Sequence, residues 1–326
     1  ELTRDLRSRK EFTVPAKYIT YPIDFSSNIF KKMFIKHEGF DIVANFSAHK
    51  HVRSEKDIFS VEALIKNNIL NAKLLLDLLA KFPPQEYFCV STDKAANPVN
   101  IMGASKRIME DLIFSYSDKF PVKTARFANV AFSNGSLPAG FLERLQKMQP
   151  IGSPSDVRRY FVSPEESGQI CLLSCILGKN REIFFPKLVE EQMMTFDEIA
   201  RNLLNEMGYE VFECETDEEA IEKSTLLKTG SLKYPVHFSV SDTSGEKAFE
   251  EFYTEHESLD VDRFKALGIV TNKPYPDKEK LKKLLFELNS VFEDEVTTKE
   301  TIVRILKDYL PNFEHIETGK SLDSKM

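Results

Sequence analysis

An apolar, β-rich run, Tyr87-Phe-Cys-Val90, breaks without transition into four polar residues, Ser91-Thr-Asp-Lys94. Four such side chains directly after a buried strand are costly unless they face a cleft. In an open α/β sheet, ligands bind at the carboxyl ends of the strands. Ala95-Ala-Asn-Pro98 then interrupts the pattern. Gly103-Ala-Ser-Lys106 opens a helix that continues through Ile108, Met109, Leu112 and Ile113. Residues 88–106 thus gather a hydroxyl, a carboxylate and two amines around one strand end and one helix start.

The rest of the chain repeats this alternation. Residues 1–10 read as a polar helix. Tyr18 to Asp24 reads as a strand ending in a carboxylate, unless Asp24 caps a helix starting near Phe25. Phe40 to Ala48 is a second strand, with His49-Lys50-His51 at its polar end. Val61 to Phe82 carries a helical stripe of Leu64, Ile65, Ile69, Leu75, Leu76 and Leu79. Asn68 interrupts that stripe and needs hydrogen-bond partners if buried. Val122 to Phe132 is another strand, ending in Ser133-Asn-Gly-Ser136, and a short helix covers 137–149. Arg158-Arg159 offers bidentate donors to a phosphate, or is a solvated pair. Ser163-Pro-Glu-Glu166 starts a helix that Gly178 stops, Ile183 to Phe185 is a strand, and Thr195-Phe-Asp-Glu198 is a capping box. The acidic run after Glu213 reads as a solvated face, residues 238–247 as a substrate-side loop, and two helices follow near 278–293 and 297–309. The residues predict a doubly wound, Rossmann-like parallel sheet.

Composition narrows the functions. A net charge of −7 disfavours general nucleic-acid binding. No apolar run approaches the ~20 residues of a membrane span. Nothing reads as a signal peptide, so a cytoplasmic location is expected. The cysteines at 89, 171, 175 and 214 have no metal-ligand spacing and read as reduced core thiols, so no metal is expected.

The run Ser91-Thr-Asp-Lys-Ala-Ala-Asn-Pro98, followed by Met102-Gly-Ala-Ser-Lys106, resembles the active-site segment of the extended short-chain dehydrogenases/reductases. More narrowly it is similar to the nucleotide-sugar 4,6-dehydratases of bacterial polysaccharide biosynthesis, typified by UDP-N-acetylglucosamine 4,6-dehydratase. Ala48-His-Lys-His-Val52, Asn67-Asn-Ile-Leu70 and Arg126-Phe-Ala-Asn-Val130 extend the resemblance, which covers residues 1–190 or so. It implies a dinucleotide-binding domain over 1–150, and a substrate-binding region over 151–326 that returns some segments to the sheet. It implies NAD or NADP, with Asp24 at the adenine and Ala48, Asn68 and Lys106 on the cofactor side. It implies a nucleotide-sugar substrate near His49, Lys50, Asn129 and Arg159, with Arg126 in the same wall. Thr92, Asp93, Lys94 and Lys106 carry the implied chemistry: carbon-4 oxidation, loss of water across carbons 5 and 6, and return of hydride. A homo-oligomer, associating through helices beside the active-site segment, is also implied.

Two departures stand out. The superfamily's Tyr-x-x-x-Lys reads Met102-Gly-Ala-Ser-Lys106, and Met has no proton to exchange; members of this branch with Met here are known, and Asp93 or a water would take the vacant role. No G-x-x-G-x-x-G occurs in the chain, and the family pattern places that turn before Glu1, so weak dinucleotide binding is expected of these residues alone. Two other classes stay open: a nucleotide-sugar 4-epimerase and a non-catalytic nucleotide-sugar-binding subunit.

Overall fold

In the computed structural model, residues 2–10, 18–51, 55–241 and 250–315 are described. The chain forms two compact units, 1–39 and 40–326.

In the first unit the expected polar helix spans Leu2–Ser8. The strand expected at Tyr18–Asp24 does not form. Pro22 removes a ladder donor, and Asp24 turns its carboxylate onto its own chain. That carboxylate accepts the Ser26 N–H at 2.8 Å and the Ser26 hydroxyl at 2.7 Å. These hydrogen bonds hold Asp24 below the usual carboxylate range. Asp24 is not the cap of the next helix: Ser27 caps Asn28–Lys36, accepting from the Phe30 N–H.

The second unit is built on a six-stranded sheet. Strands Ile42–Asn45, Glu86–Thr92, Val122–Phe127 and Ile183–Pro186 run parallel in that order. Leu267–Thr271 and then Ser258–Asp260 extend it antiparallel. Side-chain alternation along Glu86–Thr92 explains the double winding. Phe88 joins Ala125, Phe127, Phe184 and Ile170 in one core, under the helix Pro164–Leu177. Cys89, on the other face, meets Met109 of the helix Ile101–Phe114. The central strand Val122–Phe127 is buried at every position, as a strand covered on both faces must be.

A separate parallel sheet, Glu210–Glu213, Lys233–Ser239 and Ile151–Pro154, surrounds its own core of Phe141, Ala200, Leu204 and Tyr234. Strands Ile183–Pro186, Ser258–Asp260 and Leu267–Thr271, also from the second half, join the large sheet.

Two elements differ from the sequence reading in ways that matter at the site. The helix expected from Val61 to Phe82 is α-helical over Ile58–Ile65 and Ala72–Leu79 but π-helical over Lys66–Asn71. The wider turn contains Asn68, the residue that broke the apolar stripe; such insertions often mark functional sites. The strand expected from Val122 to Phe132 stops at Phe127, and Asn129–Val130 pairs instead with Phe161–Val162. This switch carries Asn129 away from the sheet.

Candidate active site

The strand Glu86–Thr92 ends in a single turn of 3-10 helix, Asp93–Ala95, capped by the Thr92 side chain. The Thr92 hydroxyl donates to Asp93 Oδ1 at 2.7 Å. Lys94 Nζ donates to both Asp93 oxygens, at 3.2 and 3.3 Å. Asp93 is buried at 2 % exposure, while the Lys94 side chain keeps 25 %. A buried carboxylate is thereby held between a hydroxyl and an amine.

The helix Ile101–Phe114 is anchored against this turn. Asn100 caps it by accepting the Gly103 N–H at 2.7 Å. Glu55 reaches across the chain to accept the N–H groups of Ile101 and Met102, at 3.0 and 2.8 Å. A negative charge at a helix start is favoured by the helix dipole. Gly103 is required here by close approach, because a Cβ would stand 2.5 Å from the Lys94 carbonyl oxygen. One turn later Lys106 is buried and donates to the Val90 carbonyl at 2.7 Å. Burial pulls its amine below the usual lysine range. Met102 is buried among these groups at 2 % exposure. Nearly every position of this helix is buried within the chain, so its several apolar faces are not a free surface for association.

Asn68 satisfies all the partners that burial demands. Its carboxamide accepts the His49 N–H at 2.9 Å and donates to the His49 carbonyl and the Ser105 hydroxyl, both at 3.0 Å. It therefore fixes the strand-end loop to the helix that carries Lys106.

A cavity of about 1130 Å³ opens over these groups. Ala48, Lys50, Thr92, Asp93, Lys94, Met102, Lys106 and Asn129 line it, so eight of the expected site residues in this unit converge. His49, Asn68 and Arg159 are not among the lining residues; His51 lines the cavity where His49 was expected. His49 contributes its backbone to the Asn68 clamp. Arg159 is buried and donates to the Arg158 carbonyl at 2.9 Å, while Arg158 faces Glu190 at 3.6 Å. Arg126 is not in the cavity wall either. It is fully buried, between Glu110 and Glu257.

The sequence reading missed two acidic groups. Asp217, taken as part of a solvated acidic face, lines the cavity and pairs with His237 Nδ1 at 2.6 Å. Only its place at the start of the helix Asp217–Lys223 distinguishes it from its neighbours. Glu250 is buried, and its carboxylate accepts the Tyr160 N–H at 2.7 Å and the Asn129 side-chain amide. Burial and the Asp93 charge push Glu250 up to about 7, against the smaller pull of Lys94. Nothing in the sequence separates Glu250 from Glu251. Of the polar run 238–247, Ser239 and Ser241 line the cavity and residues 242–247 lie outside the described residues.

Among the described residues no cluster of three or more His, Cys, Asp or Glu is placed to hold a metal ion, and no helix is long and apolar enough to cross a membrane.

The family model of the polysaccharide biosynthesis proteins matches residues 24–271. The chain is 27% identical over 227 residues to the probable polysaccharide biosynthesis protein EpsC of Bacillus subtilis, covering 68% of this chain and 36% of the relative. The chain thus spans about a third of that relative's length. It is 25% identical over 227 residues to the inverting UDP-N-acetylglucosamine 4,6-dehydratase of Campylobacter jejuni, covering 67% of this chain and 62% of that one. Its fold is similar to that of the solved structure of Pen from Bacillus thuringiensis, with a TM-score of 0.61, 19% identity, and 88% of this chain and 85% of the other covered.

Proposed function

The chain belongs to the polysaccharide biosynthesis protein family, and from that premise we propose that it is a nucleotide-sugar 4,6-dehydratase acting on UDP-N-acetylglucosamine or a close nucleotide hexose. The carrying observation is the direct contact of Lys94 Nζ with the Asp93 carboxylate, beside the Thr92 hydroxyl, in the cavity wall. Elimination of water needs an acid and a base side by side, and epimerisation does not.

The dinucleotide partly fits this chain. Lys106 uses one of its ammonium hydrogens on the Val90 carbonyl, leaving two for ribose hydroxyls in the cavity it lines. For the pyrophosphate the sequence holds no G-x-x-G-x-x-G turn. When bound, the nicotinamide supplies removal of hydride from sugar carbon 4 and its return at carbon 6.

The protein's own groups move the protons. Thr92 hydrogen-bonds the carbon-4 oxygen. Asp93 accepts the carbon-4 hydroxyl proton, the role Met102 cannot fill. The resulting ketone acidifies carbon 5, and Lys94 in its neutral form takes that proton. Asp93 returns its proton to the departing carbon-6 hydroxyl, which leaves as water. Lys94 then reprotonates carbon 5, and the product is a 4-keto-6-deoxy sugar. Asn129 contacts the nucleotide side of the substrate.

Proton NMR of full-length protein supplied with NAD and UDP-N-acetylglucosamine tests the reading. A carbon-6 methyl doublet supports it. A galacto product favours an epimerase, a class to which the UDP-glucose 4-epimerase of Rickettsia canadensis belongs. An unchanged sugar overturns the dehydratase assignment for this substrate.

A further inference from the structure

The cavity has a second polar wall that takes no part in those steps. Side chains alternate along the strand Lys233–Ser239. Tyr234, Val236 and Phe238 turn to the core of the small sheet, while His237 and Ser239 line the cavity. The neighbouring strand Ile151–Pro154 sets Gly152 opposite His237 and Pro154 opposite Ser239, and both line the cavity too. Gly152 leaves the sheet surface beside the imidazole without a side chain, which allows close approach of a ligand. Asp217, at the start of the helix Asp217–Lys223, holds His237 Nδ1 at 2.6 Å and lines the same cavity. Thr92, Asp93 and Lys94 line it from the large sheet. Phe161 and Phe196 add an aromatic pair to the lining, edge to face with ring centres 5.8 Å apart.

Resting on the dehydratase reading, we propose that His237, oriented by Asp217, reads the base of the nucleotide sugar by accepting an imide N–H, the group that a uracil or thymine ring carries. The hexose of such a substrate must meet Thr92, Asp93 and Lys94. The diphosphate is anionic and is disfavoured beside the Asp217 carboxylate. The nucleoside, neutral and flat, is the part that suits a wall of one imidazole, one serine and a bare stretch of sheet. Asp217 accepts the Nδ1 hydrogen, so the neutral ring carries its lone pair on Nε2. Among the described residues Nε2 has no hydrogen-bond partner. An imide N–H completes it, whereas the matching ring nitrogen of cytosine is itself an acceptor and opposes the lone pair. A tie between helix and strand would need the His237–Asp217 contact, but neither its place in the cavity nor any choice between bases.

Calorimetric titration of UDP and of CDP into full-length protein supplied with NAD, at pH 8, tests the proposal. Wild type should bind UDP at least about tenfold more tightly than CDP. His237→Phe keeps a planar ring without an acceptor, and should bring the two affinities to within about twofold of each other, chiefly by weakening UDP. The deoxyribose form of UDP should follow UDP in both proteins. A wild type that fails to bind UDP, or binds it no better than CDP, overturns the proposal, as does a preference that survives in His237→Phe. A preference that depends on the ribose 2-hydroxyl overturns it too, because His237 would then contact the ribose. Loss of a purely structural tie would weaken both nucleotides alike and leave their ratio unchanged. If His237→Phe does not fold, Asp217→Ala decides, since its imidazole no longer has a fixed tautomer: the UDP preference should fall by at least about threefold, and an unchanged ratio overturns the proposal. These titrations need no turnover, so a missing methyl doublet counts against the dehydratase reading and leaves the base preference to be judged by the titrations.

Discussion

Two clusters of buried charge grow from the same pair of strands, and they are built on opposite rules. Around Arg126, every charge has partners. Glu110 accepts from Ser91 at 2.7 Å, from Arg126 at 2.8 and 3.0 Å, and from Lys273 at 3.1 Å. Glu257 accepts from Arg126 at 2.7 and 2.8 Å and from Arg107 at 3.1 Å, and Lys273 also meets Asp111 at 3.0 Å. Three carboxylates meet three cations. Burial alone would raise Glu110, but Arg126 and Lys273 overturn that and hold it far below the usual range. Around Asp93 the balance is left open: Lys94 contacts Asp93, and among the described residues Glu250 has hydrogen bonds instead of an ion pair. A saturated cluster resists protonation and fixes the fold. In the undersupplied one burial, with the Asp93 charge, lifts the Glu250 carboxyl to about 7.

The comparison breaks first at Arg126. Arg126→Leu leaves Glu110 and Glu257 buried without their main partner, and should cost about 3–5 kcal/mol of stability. Urea unfolding followed by circular dichroism measures it. A loss below about 1 kcal/mol would show that the saturated cluster is not a structural keystone. At the other cluster the order of effects reverses. Asp93→Asn and Lys94→Met should each reduce methyl formation by about 10²–10⁴-fold, with unfolding midpoints near wild type. Absorbance of the reduced nicotinamide separates them, since only the Lys94 variant still oxidises carbon 4, and solvent-deuterium exchange at carbon 5 reports the step assigned to Lys94. Wild-type exchange and turnover in Lys94→Met would remove Lys94 from the mechanism.

Between the clusters stands Asn68, a polar residue whose bonds are all neutral. Asn68→Ala strands the His49 backbone and should cost about 1–3 kcal/mol. Turnover at saturating substrate should fall less than in the Asp93 and Lys94 variants. A stability change within experimental error would show that water replaces the clamp.

The parts of this arrangement that were legible in the sequence were contiguous. Residues 88–106 announced a strand end, a polar turn and a helix start, and those three elements carry Thr92, Asp93, Lys94, Met102 and Lys106. Capping signals were equally local: Ser163 and Thr195 cap as their spacing implied. What escaped was set by partners distant in the chain. Arg126 sits two residues from Ala128 in a run that resembles a substrate wall, but its fate is decided by Glu110 and Glu257, which no periodicity links to it. Glu55 caps a helix 46 residues away in the chain. Glu250 meets Asn129 across 121 residues. The strand expected at 18–24 failed for a local reason too weak to read beforehand, the turn that Asp24 makes with Ser26.

The smallest predicted effect is a slope, and it tests the comparison in one measurement. Glu110 has a folded-state pKa below its ordinary value of 4.5, so its stabilisation is present above that value and lost as pH falls. Glu250 has the opposite sign. Its folded pKa, about 7, lies above the ordinary 4.5, so the folded state holds a proton that the unfolded chain releases. Stability from this group is complete below pH 4.5 and lost as pH rises through about 7. Wild-type protein should therefore lose stability between pH 5 and 8 relative to Glu250→Gln, whose amide does not titrate. Asp93→Asn should show a shallower loss than wild type, because removing the opposing charge lets Glu250 ionise nearer its ordinary range. Arg126→Leu should keep the neutral-side slope while changing the acid side, since it alters only the saturated cluster. Urea midpoints for the four proteins at pH 5, 6, 7 and 8 give the reading. Parallel curves for wild type and Glu250→Gln would mean that Glu250 is ionised across this range, and that the two clusters do not differ in the protonation of their buried carboxylates.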